Sequence, residues 1–281
     1  MWELELEDTK SSRTVFIKHV ALPQDHGSWV FLLSPLLIGL FAGGSWTSAT
    51  PLLVIGCLAA FLVRQPISTL VKIQSGRRQR RELPAAWFWT LIYGIIGLFC
   101  LVGLIGFGFS FLLWLALPGI PVFMWHLYLV SQRAERRQMG VELVATGVLS
   151  LAAPAAFWVG VGSPDPTGWW LFLLTWLQSA ASIVYTYLRL DQRNWKQLPE
   201  LSYRMKNGWR AWSYAAFNLA FSAVLGIIGL FSGTAFLAFA LQWFETSWGV
   251  LRPAIGWKPT KIGIRQLSIS SLFTLLFILT W

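Results

Sequence analysis

The residues of this chain that could do chemistry sit in apolar surroundings, where a polar group needs a reason. Asp25 and His26, within Gln24-Asp25-His26-Gly27-Ser28-Trp29, have the residue types of an acid–base pair. A helix N-cap explains Asp25 equally well but leaves His26 unexplained. Arg64, Ser68 and Lys72 recur at i, i+4 and i+8, along one helical face, with Gln65 beside them. Snorkelling toward the interface accounts for Lys72 better than for Arg64, which lies further in. Gln178, Ser182, Tyr185, Arg189 and Arg193 form a polar stripe that turns cationic at one end. Such a stripe faces either a cavity or a neighbouring helix. Glu245, flanked by Gln242 and Arg252, is an acid deep in an apolar run, so it needs a partner or a proton, and Arg64 is a candidate partner. His126, Gln132 and Glu135 form a weaker group, with a hydrogen-bonded structural histidine as the plainer reading.

These types define the chemistry expected. Guanidinium and ammonium groups grip phosphate oxygens directly, arginine often with two bonds. Arg64, Gln65, Ser68, Lys72, Gln178, Tyr185, Arg189 and Arg193 are therefore candidates for binding an anion, and Asp25, His26 and Glu245 for moving a proton. The sequence has no Gly-x-x-x-x-Gly-Lys loop, His-Glu-x-x-His, Gly-x-Ser-x-Gly or paired-carboxylate metal site. No metal or cofactor is expected.

The elements that hold these residues follow from composition. Of 281 residues, 56% are hydrophobic and only 12% charged, with 22 Lys+Arg against 12 Asp+Glu. A soluble domain carries about 25% charged residues, and disorder needs low hydrophobicity. A basic nucleic-acid binder of this composition would have no interior large enough for its apolar residues, so nucleic acid is not an expected partner. A multi-pass membrane protein remains. Stretches free or nearly free of charge run over 27–63, 83–132, 143–188, 211–251 and 266–281. One crossing helix needs about 20 residues, so the first four read as hairpins and the last as a single span. That gives an all-α protein of about nine spans, near 27–43, 49–71, 84–103, 107–131, 142–161, 168–189, 211–231, 234–251 and 264–281. Pro118 and Pro121 should kink the fourth.

Every one of the 22 Lys and Arg falls at or before Lys18 or within 64–81, 133–137, 189–210 and 252–265. The positive-inside rule places those segments and the N-terminus in the cytoplasm. The acidic first residues, Glu3, Glu5, Glu7 and Asp8, have the wrong sign for a signal peptide. Residues 1–22 read as a cytoplasmic arm, lying on the membrane surface, and 23–281 as one transmembrane domain. Arg77-Arg78-Gln79-Arg80-Arg81 reads as a contact for anionic lipid headgroups. Cys57 and Cys100 read as packing residues. Of the 18 Trp, several fall near span ends, as interfacial indoles do. Trp114, Trp125, Trp158, Trp176, Trp243 and Trp248 fall deeper, as packing bulk or as an aromatic lining for an isoprenoid or pigment.

Two motifs carry a resemblance. Leu22-Pro23-Gln24-Asp25-His26-Gly27-Ser28-Trp29, leading into a span with Pro35, and Arg64-Gln65-Pro66 resemble the bacterial YwiC-like membrane protein family, and the span pattern extends the likeness over nearly the whole chain. A more distant resemblance is to UbiA-type intramembrane prenyltransferases, which implies a UbiA-like helical bundle. That family places Mg²⁺-binding carboxylates on its second and sixth helices; here Arg64, Ser68 and Lys72, and Arg189 and Arg193, hold those positions. Carboxylates bind Mg²⁺ and these groups do not. The resemblance thus implies an isoprenoid or lipid phosphate held by the protein itself, in a cytoplasm-facing cavity of a bacterial plasma or thylakoid membrane. Membrane lipids and an amphipathic anionic small molecule are the expected partners. A transporter or flippase of small anions or lipids, and a non-catalytic assembly factor, are the alternatives.

Overall fold

The computed structural model describes residues 15–23, 26–134 and 138–281, with the backbone alone at His26. Asp25 and Glu135 lie outside the described residues. Every regular element among those residues is helical. In chain order they are α1 Lys18–Ala21, α2 His26–Ala42, α3 Ala49–Gln74, α4 Leu83–Gly106, α5 Leu112–Ala116, α6 Gly119–Ser131, α7 Met139–Ser150, α8 Ala152–Val161, α9 Pro166–Gln192, α10 Leu201–Ile227, α11 Phe236–Leu251 and α12 Pro259–Thr280. Each expected span has helix at its position. Among the described residues six segments are long and apolar enough to cross a membrane: Ala49–Gln74, Arg80–Gly106, Leu112–Ser131, Met139–Val161, Pro166–Gln192 and Pro259–Thr280. Gly27–Ala42 is apolar but shorter.

Proline explains where two spans break. Pro118 has no N–H to give the preceding turn, and its ring opposes that turn's carbonyl, so α5 ends at Ala116 and α6 starts at Gly119. The segment expected as one helix over 142–161 also divides, at Leu151, because Pro154 cannot donate to the carbonyl of Ser150. α9 begins with Asp165 accepting a hydrogen bond from the Thr167 amide at 2.8 Å and Pro166 filling the first helical position. Hydrogen bonding from the Thr167 side chain, and then from its amide, holds the half-buried Asp165 carboxyl below its ordinary pKa.

The chain divides into two compact units. The first takes in the described residues up to Pro23 and 47–141. Its centre is the α3–α4 hairpin, where Gly56 faces Cys100 and Gly97 faces Ala59. Residues 15–21 pack onto this unit, with Val20 against Leu70, Ile73, Ala85 and Ala86. The arm is also bonded down. Gln65 Nε2 donates to the His19 carbonyl at 2.8 Å, Trp89 Nε1 to that of Val15 at 3.1 Å, and the Tyr93 hydroxyl to that of Ala21 at 3.1 Å. His19 Nε2 lies 3.3 Å from Glu82 Oε1. On α4, Leu91, Ile95, Leu98, Phe99 and Val102 are exposed, as suits a helix whose solvent is lipid.

The second unit covers 26–46 and 142–281. α2 and α8 meet backbone to backbone. Gly39 lies against the Ala153 carbonyl and the Ala156 methyl, and a Cβ on Gly43 would stand 3.0 Å from the Phe157 carbonyl and 3.2 Å from the Gly160 Cα. Small residues four apart permit this approach. α9 packs against α8, α10, α11 and α12, so its polar stripe is shared among helices.

Candidate functional site

Much of the polar stripe of α9 bonds to its neighbours. The backbone carbonyl of Gln178 accepts from Gln242 Nε2 at 3.0 Å. Gln266 Nε2 bonds the Ser182 hydroxyl. The Tyr185 hydroxyl donates to Glu245 Oε1 at 2.8 Å and lies 3.2 Å from the Glu245 carbonyl. Ser182 and Tyr185 thus bond across helices through their side chains, and Gln178 through its backbone carbonyl. Asn218 Nδ2 donates to the Leu177 carbonyl at 2.9 Å. The acceptor oxygens of Asn218 and Gln242 are buried without a partner among the described residues.

Glu245 has its counter-ion in Arg265. Arg265 Nε reaches Glu245 Oε1 at 2.6 Å and Nη2 reaches Oε2 at 2.7 Å, a two-pronged pair linking α11 to α12. Gly249, one turn on from Glu245, leaves the space that the Tyr185 ring occupies. Arg64 belongs to the first unit, half-buried, with its Cζ 5.1 Å from the centre of the Phe61 ring. On the same helix Ser68 is buried, Lys72 half-buried, and Gln65 is bonded to the N-terminal arm.

Arg189 is 2% exposed, and its Nη1 has three acceptors: Gln192 Oε1 at 2.9 Å, the Gly249 carbonyl at 2.9 Å and the Arg252 carbonyl at 2.8 Å. The Gly249 carbonyl is among the last of α11, which have no partner within their own helix. Arg189 therefore caps the C-terminus of α11. Gln192 adds a bond to the Gly249 carbonyl at 3.1 Å and accepts from the Ala254 amide at 3.3 Å. The half-buried Arg193 offers its carbonyl to the Gly256 amide at 3.1 Å. The end of α9 thus fixes the turn after α11. Gly256 supplies that turn's left-handed backbone, φ +69°.

That turn delivers Trp257, which gathers cations. Lys261 Nζ lies 4.2 Å from its ring centre, Arg189 Cζ 5.0 Å and Arg265 Cζ 6.0 Å. Trp257, Lys258, Thr260, Lys261, Ile264 and Arg265 line an open basin of about 440 Å³ at the start of α12. Sequence reasoning misses this group, although the signal is present: Lys258, Lys261 and Arg265 are spaced i, i+3 and i+7, one face of a helix. In sequence alone they read only as charges that set topology.

The deeper tryptophans do not line one cavity. Trp158 donates to the Asp165 carbonyl at 2.8 Å and Trp176 to that of Leu143 at 2.9 Å, both as structural bonds. Trp114, Trp125 and Trp248 are exposed on the outer faces of their units. Cys57 and Cys100 are free thiols.

The comparisons with known proteins agree with the motifs. The model of the family described as "YwiC-like protein" matches residues 22–157. The "Uncharacterized protein YwiC" of Bacillus subtilis (strain 168) is 26% identical over 220 residues, 78% of this chain and 81% of the relative. No solved structure matches the chain. The likeness read from the Asp25-His26 and Arg64-Gln65-Pro66 motifs is thereby shown as a similarity: this all-helical, multi-pass membrane protein is similar to the YwiC-like family over residues 22–157.

Proposed function

We propose that this protein binds the phosphate end of an amphipathic lipid or isoprenoid on the cytoplasmic side of the membrane, holding it with its own cations and without a metal. The observation that carries this reading is the basin at the start of α12. Lys258, Lys261 and Arg265 converge on it, Trp257 forms one wall, and it is open. The N-terminus of α12 adds the positive end of its dipole. The cytoplasmic placement follows from the positive-inside rule, since 252–265 is one of the basic segments. The indole suits the interface, where an acyl or prenyl chain would leave the basin for the hydrocarbon.

The anion-holding role in the second unit thus moves from the bonded Arg189 to Lys258, Lys261 and Arg265. Arg64 and Lys72 of the first unit, with Ser68 between them, are proposed as separate phosphate contacts of the same chemistry. Asp25 and His26 are kept as candidates for proton transfer.

The test is calorimetric titration of the detergent-purified protein with dioctanoyl phosphatidic acid and, as the uncharged control, dioctanoylglycerol. The phosphate lipid should bind and the control should not. K258Q/K261Q removes two charge-assisted contacts, each worth about 1.5–3 kcal/mol, and should weaken binding at least tenfold. Equal affinity for the two lipids, or none lost in the double variant, sinks the reading.

A further inference from the structure

Arg265 is held from one side. Its Nε and Nη2 bond the buried carboxylate of Glu245, while the side chain is 37% exposed and lines the basin. Nη1 makes no hydrogen bond among the described residues. Two bonds to one carboxylate fix the plane of a guanidinium, so the remaining edge donates in a fixed direction. The rest of the lining donates as well. Lys258 and Lys261 bring ammonium groups and Thr260 a hydroxyl, and none of the lining residues is acidic. Arg189, on the Trp257 ring, is turned to the carbonyls at the end of α11. The charges can therefore be counted. Glu245 answers the charge of Arg265, and Lys258 and Lys261 leave two positive charges on the basin wall.

We infer that the basin selects a phosphomonoester, a phosphate at the end of a chain, over a phosphodiester. The inference rests on the basin reading and narrows it. A terminal phosphate presents three unsubstituted oxygens and close to two negative charges. Those match the two ammonium groups and the remaining edge of Arg265, one oxygen to each. A phosphodiester presents two such oxygens and one charge, so one donor and one positive charge go unanswered. One charge-assisted contact changes affinity about tenfold to a hundredfold. The phospholipids that form a bilayer are mostly diesters and surround an interfacial site in excess. A basin that bound both classes equally would be filled by its own solvent. The ligand class is then a lipid that ends in a phosphate, such as a phosphatidic acid or a prenyl monophosphate.

The experiment is calorimetric titration of the detergent-purified protein with dioctanoyl phosphatidic acid and dioctanoyl phosphatidylglycerol, which share their chains. It is run at about pH 8, where a phosphomonoester is doubly charged. Wild type should bind the phosphatidic acid at least tenfold more tightly. Equal affinity for the two overturns the selectivity and leaves the basin standing. Absence of binding by phosphatidic acid overturns the basin and the selectivity with it. R265K tests the source of the preference. Its single ammonium is held by Glu245, so the net charge is kept and the third contact is lost, and the preference should fall toward parity. A preference undiminished in R265K would come from charge density alone and overturns the matching of donors to oxygens. Should R265K fail to elute as a folded protein, K258Q, at an exposed position, serves in its place. It should weaken phosphatidic acid at least tenfold and phosphatidylglycerol less; equal losses overturn the matching. Glycerol 3-phosphate, the same head group without chains, should bind at least tenfold more weakly than phosphatidic acid. Equal affinity for these two would overturn a lipid as the source of the phosphate.

Discussion

At the scale of single residues, the second unit is organised by Tyr185, Glu245, Arg265 and Arg189. The sequence marks Glu245 as an acid that must have a partner, and it has one. The partner's identity is not legible there, because Arg265 is 20 residues away, across a turn whose path depends on Gly256 and the carbonyl of Arg193. Arg189 reads as an anion ligand from residue type and position. Type alone does not distinguish a guanidinium that meets a phosphate from one that meets helix-end carbonyls. Gly249 is the silent member of the group. A Cβ there would collide with the Tyr185 ring and hydroxyl, driving the ring off Glu245. G249A should lower stability by about 1–3 kcal/mol, as overpacking does, seen as a lower midpoint of thermal unfolding in detergent. G263A, where nothing lies within 4 Å of the added methyl, should not lower it. Equal midpoints for the two variants would remove the packing argument for Tyr185.

At the scale of elements, charge-free runs and proline place the helices well. The break at Pro118 is legible, since proline in mid-span acts locally. The break at Leu151 follows the same rule through Pro154, which lies in a run apolar enough to hide it. The meeting of α2 with α8 is not legible: Gly39-Leu40-Phe41-Ala42-Gly43 carries a small-x-x-x-small pattern, but nothing in it names the partner helix. That partner is the surface of Ala153, Ala156 and Gly160. G39A would press a methyl onto the Ala153 backbone carbonyl, which cannot rotate away as a side chain would. The expected cost is about 1–3 kcal/mol, whereas G94A on α4, in open space, should be neutral or mildly stabilising as alanine favours helix. Thermal unfolding of the two variants decides; a harmless G39A contradicts the close approach.

At the scale of the molecule, composition alone fixes the class, all-helical and membrane-embedded, because so apolar a chain has no soluble alternative. The count of crossings is less legible. Six segments pass on length and hydropathy, while α2 is short, α10 starts with Arg204, Lys206 and Arg210, and α11 carries Glu245. The nine-span layout makes a direct prediction. With Cys57 and Cys100 replaced by alanine, S163C should react with an impermeant maleimide from outside intact cells, and K196C only after permeabilisation. The reverse pattern would invert the layout and remove the basin from the cytoplasm. The central claim is that the α12 basin holds a phosphate-bearing lipid, and native mass spectrometry of protein extracted gently from its membrane reads it most directly. Wild type should retain a phosphate-bearing lipid that K258Q/K261Q loses, with both proteins equally folded. Equal retention by the two, or a bare wild-type protein, would contradict the account.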